Sequence, residues 1–262
     1  MEKERADKLL VRRGLAETRE KAQRLIMAGL VFAGSERIDK AGQSLDVDRE
    51  LSVKDKLPFV SRAGAKLAQA LDEFGIDPAG KIAADIGAST GGFTDCLLQR
   101  GAKKVFAVDV DTNQLDWTIR RDPRVVLIEK NARYLSPADL PEVPDIVTLD
   151  VSFISILKVL PALAAIMGPE KILVALIKPQ FEAGRPQVGK NGIVRDPLVH
   201  ADVLDRILRG AVGFGFGLLG LARCATRGQK GNVEFLAHFR RREPGPAPDN
   251  LPELIKEVAG DE

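Results

Sequence analysis

Apolar residues recur at two different periods along the chain, and the change of period divides it. Between residues 5 and 31, Ala6, Leu9 and Leu10 and then Ala22, Leu25 and Ile26 fall at helical spacing, which predicts two short helices. Gly14 closes the first, Thr18 is placed to cap the second, and Gly29 ends it. Short β-like pieces follow at Val31-Phe32 and Leu51 to Val53, separated by the turn-rich Gly34-Ser35 and Asp39 to Gly42. Residues 1–55 read as a small α+β module. The polar, proline-bearing passage from Lys54 to Val60 reads as a linker, with 56–60 belonging to neither pattern.

Beyond the linker, strand-like and helical patterns alternate. A helix is expected from Ser61 to Leu71, with Ser61 as its cap and Ala65, Ala68 and Leu71 on one face. Lys66 falls on another face, where a lysine ordinarily meets solvent. Strands are expected at 81–86, 104–109, 124–128, 145–149, 171–177, 219–224 and 233–239, with helices between them. That alternation predicts an α/β fold with a doubly wound parallel sheet over residues 61–242. The passage from Ala225 to Asn232 is too short for a crossover helix, so the seventh strand should run antiparallel to the sixth. Pro244, Pro246 and Pro248 make residues 243–262 a stiff tail, with a short helix expected from Pro252 to Val258.

A chain of 262 residues, 45% hydrophobic and 29% charged, has the composition of a soluble globular protein. It contains no run near the roughly 20 apolar residues of a membrane span, and its first residues lack a signal-peptide core. A cytoplasmic protein with no membrane partner is expected. Cys96, Cys224, His200 and His238 show no metal-ligand spacing, so no metal is expected, and His200 reads as structural. The net charge of +2 is too mild to demand a nucleic acid. Local clustering is more telling, because Arg12, Arg13, Arg19, Lys21 and Arg24 crowd the first two helices, either as a solvated face or as an RNA-binding one.

Candidate chemistry concentrates between Ala84 and Asp95, where an apolar run ends in glycines and a helical pattern begins. The dinucleotide fingerprint needs a glycine at the place held by Ser89; the pattern is instead G-x-x-x-G-G after Asp85. A carboxylate there repels a pyrophosphate but attracts an ammonium, which S-adenosyl-L-methionine carries. Asp109 ends the next strand 24 residues later, where an acid can accept from both ribose hydroxyls. A nicotinamide-type site and a plain α/β turn are the alternatives. Ligands collect outside the carboxyl ends of such strands, where Asp85, Asp109, Asn131, Asp150 and Lys178 stand, and Asp150 and Lys178 should face one pocket. Glu234 falls in the apolar final strand, where an acid is costly unless a lysine pairs with it.

Two resemblances join these patterns. The run from Ala6 to Val31 closely resembles the S4-like RNA-binding module over roughly residues 3 to 55, which implies an RNA-backbone role for Lys8, Arg12, Arg13, Arg19 and Arg24. Lys66, Asp150, Lys178 and Glu234 stand in the order and surroundings of the Lys-Asp-Lys-Glu tetrad of FtsJ-like RNA 2′-O-methyltransferases. With the runs Asp85 to Gln99, Asp150 to Ser155 and Lys178 to Glu182, residues 3 to 240 resemble the haemolysin A (TlyA) family of rRNA methyltransferases. The resemblance implies a Rossmann-like seven-stranded fold and transfer of a methyl group from S-adenosyl-L-methionine to cytidine 2′-hydroxyls of ribosomal RNA. Lys178 is then expected at the reacting hydroxyl, Asp150 and Glu234 are expected to orient Lys178, and Lys66 to steady the RNA phosphate or the hydroxyl, with Arg62 among the RNA contacts. The cofactor set implied is Asp85, Gly87, Ala88, Ser89, Thr90, Gly91, Gly92, Asp109, Val110, Asn131, Ala132 and Asp150.

Two further classes remain open at this point. One is an RNA binder whose second domain is a relic; the other is a membrane-lytic protein, suggested by the family's name alone. The glycine-rich basic passage from Gly184 to Pro197 reads either as a segment that closes over RNA or as an ordinary surface loop.

Overall fold

The computed structural model describes residues 3–27, 30–53 and 58–260, with the side chains of Arg24 and Gln229 outside the description. The chain falls into two compact units, Met1–Leu57 and Pro58–Glu262. The first contains β1 (Lys3–Arg5), α1 (Ala6–Arg12), α2 (Arg19–Met27), β2 (Val31–Ala33), β3 (Glu36–Arg37), β4 (Ser44–Asp46) and β5 (Leu51–Val53). Both helices bury the residues that carry their periodicity, Ala6, Leu9, Leu10, Ala22 and Ile26, against Val31 and Ile38. Thr18 Oγ1 accepts from the Lys21 N–H at 3.1 Å, which is the cap its position predicts. Gly29 and the first half of the linker lie outside the described residues. β1 pairs with β4, and β2 lies between β3 and β5, all antiparallel. The strands β1, β3 and β4 escape sequence reading because pieces of two or three mostly polar residues show no alternation.

Asp7 ties the two helices together. Its buried carboxylate accepts from Arg5 at 3.0 Å, Arg19 Nε at 2.9 Å and Gln23 Nε2 at 3.0 Å. The Arg5 guanidinium holds that carboxyl well below the usual carboxylate range.

In the second unit, α3 (Arg62–Glu73) precedes β6 (Ile82–Ile86), α4 (Gly92–Gln99), β7 (Lys104–Asp109), α5 (Trp117–Arg120), β8 (Val125–Glu129) and β9 (Ile146–Leu149). Then come α6 (Leu160–Ile166), β10 (Ile172–Ile177), α7 (Pro179–Glu182), α8 (Pro197–Gly213), β11 (Phe216–Arg223), β12 (Phe235–Arg241) and α9 (Leu251–Ala259). The sheet order is β11-β12-β10-β9-β6-β7-β8. β12 runs antiparallel to both β10 and β11, and the other neighbouring pairs are parallel. The antiparallel seventh strand is therefore as expected, and β12 lies between β10 and β11.

Period-two alternation sorts the strand residues onto two faces. Ala84, Ile86, Phe106, Val147 and Leu149 pack with α6 and α8, while Ala83, Val105, Ala107 and Ile146 pack with Leu67, Leu71, Phe93 and Leu97 of α3 and α4. The buried face of α3 is Gly64, Lys66, Leu67, Ala70 and Leu71, one step round from the predicted one. Ser61 sits at the N-cap but makes no side-chain cap bond. No helix joins β8 to β9; short 3-10 turns do, since Pro137, Pro141 and Pro144 break any helical run there. β11 starts at Phe216, earlier than expected, just beyond the Gly215 turn. The Pro-rich end is not detached: α9 buries Leu251, Ile255 and Ala259 in the same core as α8.

Candidate active site

β6 stops at Ile86 because Gly87 takes φ +87°, and a Cβ there would lie 2.4 Å from the Asp150 carbonyl oxygen. The N–H groups of Gly87 and Ala88 donate to Val108 O at 2.9 and 3.1 Å, so the chain folds over β7. The Ser89 N–H then donates to Asp109 Oδ2 at 2.9 Å. Gly91 follows as the left-handed residue that opens α4. Gly87, Ala88, Ser89, Thr90 and Gly92 line a cleft of about 590 Å³. The turn from Gly87 to Gly91 carries no cation. A strand-end carboxylate, Asp109, is held beside it as an acceptor, an arrangement suited to a ribose diol and an amino acid rather than to a pyrophosphate.

Asp85 is a correction. Its side chain is wholly buried and does not line the cleft. It lies on the face covered by α4, where Thr94 Oγ1 donates to Oδ2 at 2.7 Å and Thr148 Oγ1 to Oδ1 at 3.0 Å. Burial pushes its carboxyl up to about 7 against those two hydrogen bonds. Asp85 braces the underside of the turn instead of reaching a ligand.

The four tetrad residues all line the cleft. Lys178 follows β10 with an extended backbone imposed by Pro179. Its Nζ lies 2.5 Å from Asp150 Oδ1, 3.1 Å from Ser152 Oγ and 5.9 Å from the centre of the Phe181 ring. Glu234 is not its partner, contrary to expectation. The buried Glu234 carboxylate instead pairs with Lys66 Nζ and accepts from Gln180 Nε2 at 3.1 Å. The reason is positional, because Glu234 precedes β12 rather than lying within it and faces α3, whose inner face includes Lys66. A Cβ on Gly228 would lie 2.1 Å from Glu234 Oε1, so the loop before β12 closes on this carboxylate.

The loop after β9 is also fixed. Glu182 Oε1 accepts from the Ile156 N–H at 2.7 Å, and burial raises the Glu182 carboxyl. Phe153, 90% exposed at φ +64°, rests 4.8 Å from the Phe181 ring, centre to centre. Ser152, Gln180 and Phe181 belong to the runs that carry the resemblance, yet nothing in their spacing names their partners. The passage from Gly184 to Pro197 is pinned, since Asn232 accepts from the Val194 N–H and donates to Gly192 O, both at 3.0 Å.

Other expected residues lie outside the cleft. Asp109, Val110, Asn131 and Ala132 stand at the ends of β7 and β8; Val110 is exposed, and Asn131 Oδ1 accepts from its own turn at Arg133 N. Arg62 lines the cleft. In the first unit, Arg19 is bound to Asp7, Arg12 pairs with Glu4 at 3.1 Å, and Arg13 donates to the carbonyls of Val47 and Arg49. Lys8 is exposed, and the Arg24 side chain lies outside the description.

The S4 domain family matches residues 4–51, and the FtsJ-like methyltransferase family matches residues 59–241. YqxC of Bacillus subtilis, provisionally named an rRNA methyltransferase, is 52% identical over 254 residues, covering 96% of this chain and 90% of its own. The 16S/23S rRNA (cytidine-2′-O)-methyltransferase TlyA of Mycobacterium tuberculosis is 43% identical over 239 residues, covering 90% of this chain and 89% of its own. A solved structure provisionally named a hemolysin, from Streptococcus thermophilus, superposes with a TM-score of 0.75 at 48% identity, covering 98% of this chain and 96% of that one. No described helix is long and apolar enough to cross a membrane. The chain belongs to the haemolysin A (TlyA) family, an S4 domain followed by an FtsJ-like methyltransferase domain that uses S-adenosyl-L-methionine.

Proposed function

We propose that the protein methylates cytidine 2′-hydroxyls of ribosomal RNA, and therefore works where ribosomes are made, in the cytoplasm. The observation that carries this reading is the convergence of two lysine–carboxylate couples and the glycine turn on one cleft. When bound, S-adenosyl-L-methionine supplies a methyl group on a positively charged sulfur, which an in-line oxygen can displace.

The backbone of Gly87 to Thr90 and the Asp109 carboxylate hold the cofactor. Lys178, oriented by Asp150 and Ser152, meets the reacting hydroxyl, whose proton must leave as the oxygen–carbon bond forms. Lys66, fixed by Glu234 and through it by Gln180, holds the neighbouring RNA oxygen in line. Exposed basic residues of the S4 unit add sequence-independent RNA affinity. The relatives' printed names support the choice of ribosomal RNA and of the 2′-oxygen. Mass mapping of ribosomal RNA from a strain lacking the gene, with and without the purified protein and cofactor, should show a cytidine 2′-O-methyl mark that only the protein restores. A mark on a base, or none, overturns the reading.

A further inference from the structure

Beside the main cleft lies a second basin of about 290 Å³, lined by Arg195, Arg223, Arg227 and Lys230 together with His200 and neighbouring loop residues. Arg227 and Lys230 line both cavities, so the basin adjoins the cleft. None of these four cations pairs with a carboxylate among the described residues. The nearest acids in sequence are committed elsewhere: Glu234 to Lys66, and Asp196 to the N–H of Leu198 at the start of α8. Arg223 is anchored from behind by donating to Gly260 O at 2.8 Å. Unpaired cations around a concave surface focus a positive potential there, which favours an anion.

The basin is built rather than incidental. Asn232, itself buried, clamps the 184–195 passage through Val194 N and Gly192 O, and its own carbonyl accepts from Gly228 N at 2.8 Å. The two loops that carry Arg195, Arg227 and Lys230 are thus one hydrogen-bonded body. Two non-glycine residues of these loops, Asn191 and Lys230, are held at φ +67° and +57°, a cost that only a well-determined surrounding sustains.

Sheet order fixes the direction. The cofactor turn follows β6, Asp150 follows β9, Lys178 follows β10, Glu234 precedes β12 and Arg223 ends β11. These strands are consecutive neighbours about 4.8 Å apart. The basin therefore lies across Lys178 from the glycine turn, on the side away from the cofactor residues. We propose that this basin is a phosphodiester subsite that grips the RNA backbone flanking the methylated nucleotide. The subsite rests on the RNA-methyltransferase reading above and adds to it the groups that fix the strand's course.

The test uses the full chain and a single-stranded oligoribonucleotide, with binding measured across salt concentrations. Arg195→Ala combined with Arg227→Ala should weaken binding at least about tenfold and flatten the log–log salt dependence by roughly 0.7 per lost contact. Affinity for S-adenosyl-L-methionine should stay at the wild-type value, which also reports an intact fold. Arg195→Lys should recover most of the slope lost by Arg195→Ala, since a phosphate reads charge first. In a second arm, inorganic phosphate should compete with the oligonucleotide weakly in the wild type. A double variant that binds the oligonucleotide with the wild-type slope overturns the proposal, whether or not it loses inorganic phosphate. The methyltransferase reading fails separately, by absence of ribose methylation in the wild type.

Discussion

Lys178 Nζ lies 2.5 Å from Asp150 Oδ1, and that contact divides Lys66, Asp150, Lys178 and Glu234 into two couples. The approach is ionic rather than directed, because Oδ1 receives no aligned hydrogen bond. Lys178 is thereby held by charge and by Ser152 while keeping a direction free towards the cleft. Lys178→Arg keeps the charge but cannot lose its proton, so it should bind cofactor and RNA yet transfer methyl groups at least about a hundredfold more slowly in single turnovers. A near-normal rate would make Lys178 an electrostatic positioning group.

The Lys66–Glu234 couple is more buried, with side chains 9% and 3% exposed. Removing one partner strands the other: Glu234→Ala should cost about 3 kcal/mol of stability by urea unfolding. Lys66→Met with Glu234→Leu should recover most of that stability while leaving methyl transfer abolished. Recovery of activity in the double variant would show that the pair serves the fold alone.

Asp85 predicts a pH dependence. Its carboxyl titrates near 7 when folded against an ordinary 3.8, so between those values the folded protein keeps a proton that the unfolded chain has lost. Stability contributed by this group is complete below about pH 4, falls as pH rises towards 7, and ends lower by on the order of 4 kcal/mol. Asp85→Asn, neutral throughout, should flatten that slope and gain relative stability at pH 8. Parallel unfolding curves for the two proteins across pH 4 to 8 would disprove it.

Asp109 accepts from Ser89 N at 2.9 Å and from Asp111 N at 3.2 Å, so it both shapes the turn and offers its remaining lone pairs to a ribose. Asp109→Ala should weaken S-adenosyl-L-methionine binding by about 2 to 3 kcal/mol in calorimetry. Undiminished affinity would remove it from the cofactor site.

In the S4 unit the basic residues separate by task. Lys8→Ala should lower the salt slope of RNA binding by roughly 0.7 to 0.9 without changing thermal unfolding. Arg19→Ala, which deprives buried Asp7 of a donor, should lower unfolding temperature first. Equal losses of RNA affinity with no change in unfolding for both variants would contradict this division.

The sheet was legible because long apolar runs must be strands or core helices, and the glycine turn because Gly87 and Gly91 take left-handed backbone that favours glycine. Partnership was not legible. Glu234 and Lys66 stand 168 positions apart, and Lys178 is nearer to Glu234 in sequence than Lys66 is. The choice follows from β12 entering between β10 and β11, which no local spacing encodes. Asp85 misled for a subtler reason: it has the parity of Ala83, which faces α4, and a strand-end acid looks ligand-facing until the hydroxyls of Thr94 and Thr148 are placed beneath it.

The insertion of β12 also bears on when the protein becomes able to act. As a chain is synthesised, β6 to β10 can pair in their parallel register before residues 232–241 exist. Such a nascent chain has the glycine turn and the Lys178–Asp150 couple, but Lys66 has no counter-charge, β10 has an open edge, and the loop carrying Arg227 and Lys230 has nothing to close on. Completion of the sheet then also supplies the counter-charge of Lys66 and closes the loop beside the cleft, so a chain interrupted before Asn232 lacks both even when most of its core residues are present.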